Sequence, residues 1–461
     1  MTEERPTAID LFCGAGGLSQ GLHDAGFKIL WGIDHEENTK LTYDENHERE
    51  MTVGDIRDEE PPDLKLSKGE LDLVAGGPPC PTFSLVGRSK INSLEGHDNR
   101  SDERHLLYEE FLRFVDYYQP KAFLMENVEG MLSAEHEDGK PVVETIKEQM
   151  RGERQVADMD LNLNYSAQVQ VLNAANYGVP QRRNRLFFMG NRVGSENPNM
   201  EQWETHRPPK NEQEKKIKYE KDPSRGSEEE QHTLDGFVDD SEKEEFPTFR
   251  KNKSPKKPWN TIADAILDLP PVSSEGRRPP TKAEEYELGP VSEYQHWVRD
   301  LNEGQEWEKQ DLLNHECRGH NMRDLTLYKL LGEGTSYIIG DIPEEHQPFR
   351  TDIFPDKFKK QNPKEPSSTI VAHLYKDGHM FIHPNEARSI TVREAARIQS
   401  FKDTFKFPVS RTQAFKQVGN AVPCLLAQAL GTAIRTEILD RQSRGMNHRG
   451  QIDNQVSEQE I

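Results

Sequence analysis

Four short stretches carry side chains whose types and spacing could do chemistry. In the first, Gly76 to Ser84 (GGPPCPTFS), Cys80 stands between Pro79 and Pro81 directly after an apolar run. The prolines fix φ and stiffen the loop, so the thiol has a defined place. A thiolate so held is a strong nucleophile; the alternative is an inert buried cysteine. In the second, Met125-Glu126-Asn127-Val128 ends another apolar run. A carboxyl there can donate or accept a proton, or Glu126 and Asn127 can simply cap a helix. The third, Gln181 to Arg185 (QRRNR), sets Arg183 and Arg185 in alternate positions. On a strand they share a face and suit a phosphate or carboxylate; otherwise they form an ordinary solvated basic stretch. In the fourth, Asp10 to Ser19 (DLFCGAGGLS), glycines lie between a strand-like and a helix-like segment. Such a loop lets a ligand approach the backbone at a helix N-terminus. Asp34 closes the next strand-like run after Gly14, at the separation where an acidic residue can hold ribose hydroxyls. A tight turn with a helix cap is the plainer reading.

The elements that must position these residues alternate. Thr7 to Phe12, Phe27 to Ile33, Leu71 to Ala75 and Ala122 to Met125 read as strands. Leu18 to Ala25 and Leu106 to Tyr118 read as helices. Strand, turn, helix, strand in this order predicts an α/β fold with a parallel sheet. Gln168 to Leu172 and Arg185 to Met189 are two further strands. Ligands in such folds bind at the carboxyl ends of strands, where the glycine loop, the proline loop and the Glu126 segment fall. Beyond residue 210 the pattern degrades. Residues 211 to 245 are a solvated or disordered acidic stretch, followed by a basic run from Arg250 to Lys257 and a helix from Trp259 to Leu269. Residues 272 to 365 are irregular, Arg393 to Ser400 is helical, and Ala421 to Leu439 is one long amphipathic helix.

Taken together, the stretches resemble the DNA cytosine-5 methyltransferase family. Its blocks occur in order as DLFCGAGGLS, GGPPC, ENV, QRRNR, RSITVREAARIQSF (Arg388 to Phe401) and QVGNAVP (Gln417 to Pro423). The resemblance implies a Rossmann-like mixed sheet of the S-adenosylmethionine-dependent methyltransferases, with a second, smaller target-recognition domain. It places a catalytic and cofactor domain at 1–195, a variable insertion and linking helix at 196–271, and the target-recognition domain at 272–410. A segment at 411–440 returns to the catalytic domain, and 441–461 is a polar tail.

The same resemblance assigns roles. Cys80 would add to C6 of a cytosine flipped out of duplex DNA, Glu126 would bind its N3/N4 edge, and Arg185 would steady its carbonyl. Arg183 would support the site or a nearby phosphate. S-adenosylmethionine would be held by Phe12 on the adenine, the backbone of Gly14, Gly16 and Gly17, Asp34 at the ribose, and Asp55 with Ile56 at the adenine amino group. Pro79, Leu107 and Asn420 would complete the pocket, Leu107 being placed only by its distance along the sequence from Glu126. Asp34 stands where Glu is frequent, Pro81 where Gln is, Lys402 where Pro is, and Cys424 where a second Pro is; none of these is a catalytic group. A tRNA cytosine-5 methyltransferase is the rival within the family, and its Cys-Phe-Thr segment is missing here. A catalytically dead DNA-binding homologue is the other rival. The expected setting is cytoplasmic and nucleoid-associated, without membrane contact, as a monomer by default, and either paired with a restriction endonuclease or as a solitary methylase.

Composition sets boundaries. The chain has 461 residues, with 59 Lys and Arg against 81 Asp and Glu, a net charge of −22 and a mean hydropathy of −0.90. No apolar run approaches the length of a membrane span, and the N-terminal segment lacks the pattern of a secretory signal. The four cysteines form no CxxC pair. His315, Cys317 and His320 fit no common zinc spacing, so no metal is expected; His315 and His320 are expected in loops near DNA. The acidic balance argues against a polyanionic partner, yet a local positive cleft suffices. Residues 211 to 245 alone carry 13 acidic and 6 basic residues, a net of 6 − 13 = −7. The remaining acidic surface suits a high-salt cytoplasm.

Overall fold

A computed structural model describes residues 5–79, 107–136, 139–211, 246–252, 254–273, 281–300, 310–331, 338–341, 344–347 and 357–440. The acidic stretch beyond residue 211 and the polar tail at 441–461 lie outside the described residues. The chain divides into two compact units. One comprises Met1–Ala174, Arg183–Trp203 and Lys406–Ile461; the other comprises Ala175–Arg182 and Glu204–Phe405. Residues 175–182 and 204–271 thus fall in the second unit, and 196–203 and 406–410 in the first.

The first unit is built on a seven-stranded sheet in the order β3-β2-β1-β4-β5-β7-β6. Its strands and helices follow in the chain as β1 (Thr7–Leu11), α1 (Gly17–Asp24), β2 (Lys28–Asp34), α2 (Glu37–Asn46), β3 (Thr52–Val53) and β4 (Leu73–Gly76). Next come α3 (Leu107–Tyr118), β5 (Ala122–Val128), α4 (Val142–Met150), β6 (Ser166–Asn173) and β7 (Asn184–Asn191). Strands β1 to β5 run parallel. β7 is antiparallel to both β5 and β6, so the sheet is mixed, as the family resemblance implied; the strand–helix alternation alone pointed to parallel strands. The reason is local: β6 returns into β7 through a short connection without a crossover helix, and such a connection leads to antiparallel pairing. The central strands are apolar without alternation, as strands covered on both faces are. The Leu73–Gly76 strand is fully buried, and α3 packs Phe111, Phe114 and Val115 into the same core as Val74 and Phe123.

The order of strands reverses beside β1: the chain goes outward through β2 and β3, then returns to β4 on the other side. That switch point opens a crevice at the carboxyl ends of β1 and β4.

The second unit holds α5 (Ile262–Ile266), α6 (Glu293–Arg299), α7 (Met322–Leu330) and α8 (Val392–Ile398). Among its described residues the stretch expected to be irregular therefore contains two α-helices, each started by a side-chain cap: Ser292 accepts from the amide of Gln295, and Asn321 from that of Asp324. Helix α8 begins with a capping box between Thr391 and Glu394, and all of its residues are buried. Arg397 pairs with Asp268 and Asp403, Arg299 with Asp268, and Arg388 with Glu394. His315, expected in a loop near DNA, is instead a core residue at 2% exposure. Its ring nitrogens face Thr391 Oγ1 at 3.0 Å and the Pro270 carbonyl at 2.8 Å. His320 is also packed inward, against Tyr328 and Ser389.

The chain then returns to the first unit as α9 (Arg411–Asn420) and α10 (Cys424–Ile434). The long helix expected from Ala421 to Leu439 begins three residues later, at Cys424, and continues through a π-helical turn to Leu439. Ala421 is extended, and Pro423 restarts the helix as its N-cap, where its missing N–H costs nothing. α10 packs on α1 so closely that a Cβ at Gly21 would meet the Cys424 carbonyl and Ala427 Cβ at 2.4 Å. Glycine at position 21 is what admits this late helix.

Candidate active site

A cavity of about 360 Å³ occupies the switch-point crevice of the first unit. Its floor is the loop after β1. Phe12 (φ 60°), Gly14 (φ 54°) and Gly16 (φ 90°) take left-handed backbone there, tolerable for glycine and rare for phenylalanine. Gly16 is the N-cap of α1. The loop is tied down by Asp34 at the end of β2, whose Oδ2 accepts from the Gly14 amide at 2.9 Å and whose Oδ1 accepts from the Glu36 amide at 2.9 Å. The sequence separation of Gly14 and Asp34 thus has a structural role in the loop itself.

The opposite wall is made by the ends of β4 and β5. Glu126, Asn127 and Val128 all belong to β5, and the short helical turn that follows has no side-chain cap, which removes the capping alternative. Asn127 is buried and donates from Nδ2 to the Pro78 carbonyl at 3.3 Å. It therefore holds the proline loop that leads to Cys80. Glu126 lines the cavity. It pairs with Arg185, Oε1 to Nε at 2.9 Å, and the two side chains are 14% and 16% exposed. The antiparallel register sets Arg185 across from Val128, which brings the guanidinium within reach of the carboxylate on the same face of β5.

Arg183 precedes β7 and does not share a strand face with Arg185. It is 2% exposed, and Nη2 donates to the carbonyls of Gly419 and Ala421 at 3.5 and 3.2 Å. Burial pushes its pKa well down. Arg183 thus supports the returning C-terminal segment at the edge of the cavity.

Of the residues expected around a cofactor, Phe12, Gly14, Gly17, Asp34, Pro79 and Asn420 line the cavity. Gly16, Asp55, Ile56 and Leu107 do not. Gly16 faces the ring of His47. Asp55 pairs with Arg57 at 2.6 Å, and that hydrogen bond lowers its pKa to about 2. Ile56 and Leu107 are core residues. Cys80 lies outside the described residues; Pro79, its covalent neighbour, lines the cavity.

Sequence reading missed Asp10, Asn38, Thr39 and Gln417, which also line it. Asp10 is fully buried in β1, its Oδ2 accepting from Ser19 Oγ at 2.6 Å. Among the described residues its Oδ1 meets no donor. Burial, reinforced by nearby Asp34, raises its pKa to about 7. The signal was present in the motif, since an Asp inside an otherwise apolar strand is unusual. For α2 there was none: its sequence ENTKLTYDEN has no apolar stripe.

The geometry fits a small cationic ligand. Asp34 supplies a carboxylate at the cavity wall, and the glycine loop supplies open backbone. Among the described residues no group of three His, Cys, Asp or Glu side chains could hold a metal ion. No described helix is long and apolar enough to cross a membrane.

The pattern of the C-5 cytosine-specific DNA methylases matches residues 7–436. The Type II methyltransferase M.AgeI of Thalassovita gelatinovora is 31% identical, with 93% of this chain and 99% of that protein covered. The Type II methyltransferase M.DdeI of Desulfomicrobium norvegicum is 31% identical, with 92% and 88% covered. The crystal structure of a DNA modification methyltransferase encoded within an E. coli prophage superposes with a TM-score of 0.58 at 20% identity. The match covers 94% of this chain and 99% of that one, a likeness of fold. With a matching pattern across nearly the whole chain and a mixed sheet that presents Glu126, Arg185 and the glycine loop to one cavity, the protein belongs to the C-5 cytosine-specific DNA methylase family.

Proposed function

We propose that the enzyme transfers a methyl group from S-adenosylmethionine to C5 of a cytosine flipped out of a specific duplex DNA sequence, through a covalent bond from Cys80 to C6. The observation that carries this reading is the convergence of the Glu126–Arg185 pair, the glycine loop and Pro79 on one cavity. Cytosine C5 is a poor nucleophile. Addition of the Cys80 thiolate at C6 would make C5 enamine-like, and Glu126 at the N3/N4 edge would stabilise the charge that develops on the ring. Arg185, holding one oxygen of Glu126, fixes the direction in which the carboxylate faces. S-adenosylmethionine supplies an electrophilic methyl when bound; Phe12, Gly14, Gly17, Asp34, Pro79 and Asn420 are the residues that would hold it, with Asp10 beneath. Once C5 carries the methyl, a base takes the C5 proton and the thiolate leaves, which restores the aromatic ring and the free cysteine. The cytosine must leave the duplex to be reached. Residues 272 to 410 would read the target, and the enzyme would protect host DNA in a restriction–modification system.

The test is incubation of the protein with tritiated cofactor and either duplex DNA or tRNA, together with trapping on 5-fluorocytosine DNA. Label in DNA and a covalent adduct for wild type, with neither for Cys80→Ser, is the expected result. Label in tRNA alone would overturn the substrate, and absence of an adduct from wild type would overturn the covalent route.

A further inference from the structure

Two walls of the cavity come from opposite ends of the chain. Asn38 and Thr39 of α2 form one; Gln413, Lys416, Gly419 and Asn420 of α9 form the other. Between them lies the side-chain amide of Gln417, 5% exposed. Its Nε2 donates to the Asn38 carbonyl at 2.8 Å, and its Oε1 accepts from Thr42 Oγ1 at 2.8 Å. Asn38 lies one helical turn before Thr42. A helical threonine commonly donates to that same i−4 carbonyl. Here the amide of Gln417 is inserted between the two, so that one planar group uses its donor and its acceptor to bridge a hydroxyl and a carbonyl of the same helix turn. Thr42 is fully buried, so its hydrogen bond has no water as a substitute.

Other fastenings of α2 to the returning segment lie at its far end. Asn46 exchanges two hydrogen bonds with the backbone of Lys406, and Lys406 pairs with Glu45. These are exposed, and none of the three residues lines the cavity. Gln417 fixes α2 at the cavity, and Asn420 follows it by one turn of α9.

We propose that Gln417 is a positioning residue for the methyl donor, locking the α2 wall to the α9 wall so that Asn38, Thr39 and Asn420 stand at the spacing the ligand needs. This rests on the reading of the cavity as the methyl-donor site. Gln417 touches neither reacting atom, so its loss should weaken donor binding and leave the chemical step intact once the enzyme is saturated. Gln417→Met keeps the length and removes both hydrogen bonds; Gln417→Glu keeps the acceptor and removes the donor; Thr42→Val removes the hydroxyl and Thr42→Ser restores it.

The probe is S-adenosylhomocysteine, whose binding needs no turnover, titrated calorimetrically against full-length protein whose folding is checked by its thermal transition. The expected result for Gln417→Met and Gln417→Glu is binding weakened ~5- to 100-fold, the range set by an unmade buried hydrogen bond. KM for S-adenosylmethionine should rise in parallel and kcat should stay within about twofold, the pattern of lost uniform binding. Thr42→Ser should bind as wild type, and Thr42→Val combined with Gln417→Met should bind no more weakly than Gln417→Met alone. A lowered melting temperature with unchanged affinity in Gln417→Met and Thr42→Val would show a merely structural role and overturn the proposal, as would a fall in kcat with unchanged affinity. Failure of wild type itself to bind S-adenosylhomocysteine would remove the reading of the cavity, and the role of Gln417 with it.

Discussion

Replacing Asp10 by Asn should flatten the dependence of stability on pH and make the protein more stable at pH 8 relative to its behaviour at pH 5. Asp10 sits in the middle of the sheet with 0% exposure, and burial raises its pKa from 3.8 to about 7. The folded state therefore holds a proton that the unfolded chain releases near pH 4. Stability from this group is fully present below that pH and is lost as pH rises through about 7. Some three pH units at ~1.4 kcal/mol each give about 4 kcal/mol in total, of which about 3 kcal/mol falls between pH 5 and pH 8. Asn keeps the shape and the acceptor for Ser19 Oγ but has no proton to lose. Its amide N–H groups need partners, which costs about 1–3 kcal/mol at every pH where they go unmet. The diagnostic quantity is thus the change with pH in the difference between the two proteins. Urea unfolding at pH 5, 6, 7 and 8 measures it directly. Parallel curves for wild type and Asp10→Asn would refute the reasoning, since they would mean that Asp10 is ionised in the fold throughout.

Three further outcomes are expected. His47, held neutral by burial with a pKa of about 4, contributes stability that is lost as pH falls from about 6.5 toward 4; thermal melts should show an acid limb that His47→Asn flattens. Asp268→Asn should destabilise the second unit by about 3–5 kcal/mol, because the fully buried guanidiniums of Arg299 and Arg397 would lose a shared carboxylate; denaturant titration measures this, and a loss below ~1 kcal/mol would contradict it. The net charge of −22 predicts a protein whose melting temperature rises with added salt as self-repulsion is screened; an unchanged melting temperature between low and molar salt would count against the high-salt origin.

Motif-level features were legible because they depend on residues close in sequence. Glycines after an apolar run, prolines around Cys80 and a carboxylate at a strand end each follow from local backbone chemistry, and β1, α1, β2, α3 and β5 lie close to where apolar patterning puts them. The failures share one cause, which is that the deciding partner is not visible in the local pattern. β7 runs antiparallel because β6 pairs with it without a crossover, although its apolar pattern resembles that of a parallel strand. His315 looks like a loop histidine until Thr391 and Pro270 close on it. The pairing of Asp55 with Arg57 and the packing of Leu107 in the core are likewise absent from the local pattern.

The sequence by itself determined the family, the chemistry available to Cys80, Glu126 and Arg185, and the glycine turn that opens the backbone at the start of α1. Only tertiary structure decided that Asp34 also anchors the Gly14 amide and that Arg183 donates to the carbonyls of the returning segment. It also decided that Gln417 joins two walls of one cavity. The physical reason is that motifs encode residue type and local dihedral preference, whereas burial, hydrogen-bond pairing and pKa depend on neighbours brought together from opposite ends of the chain.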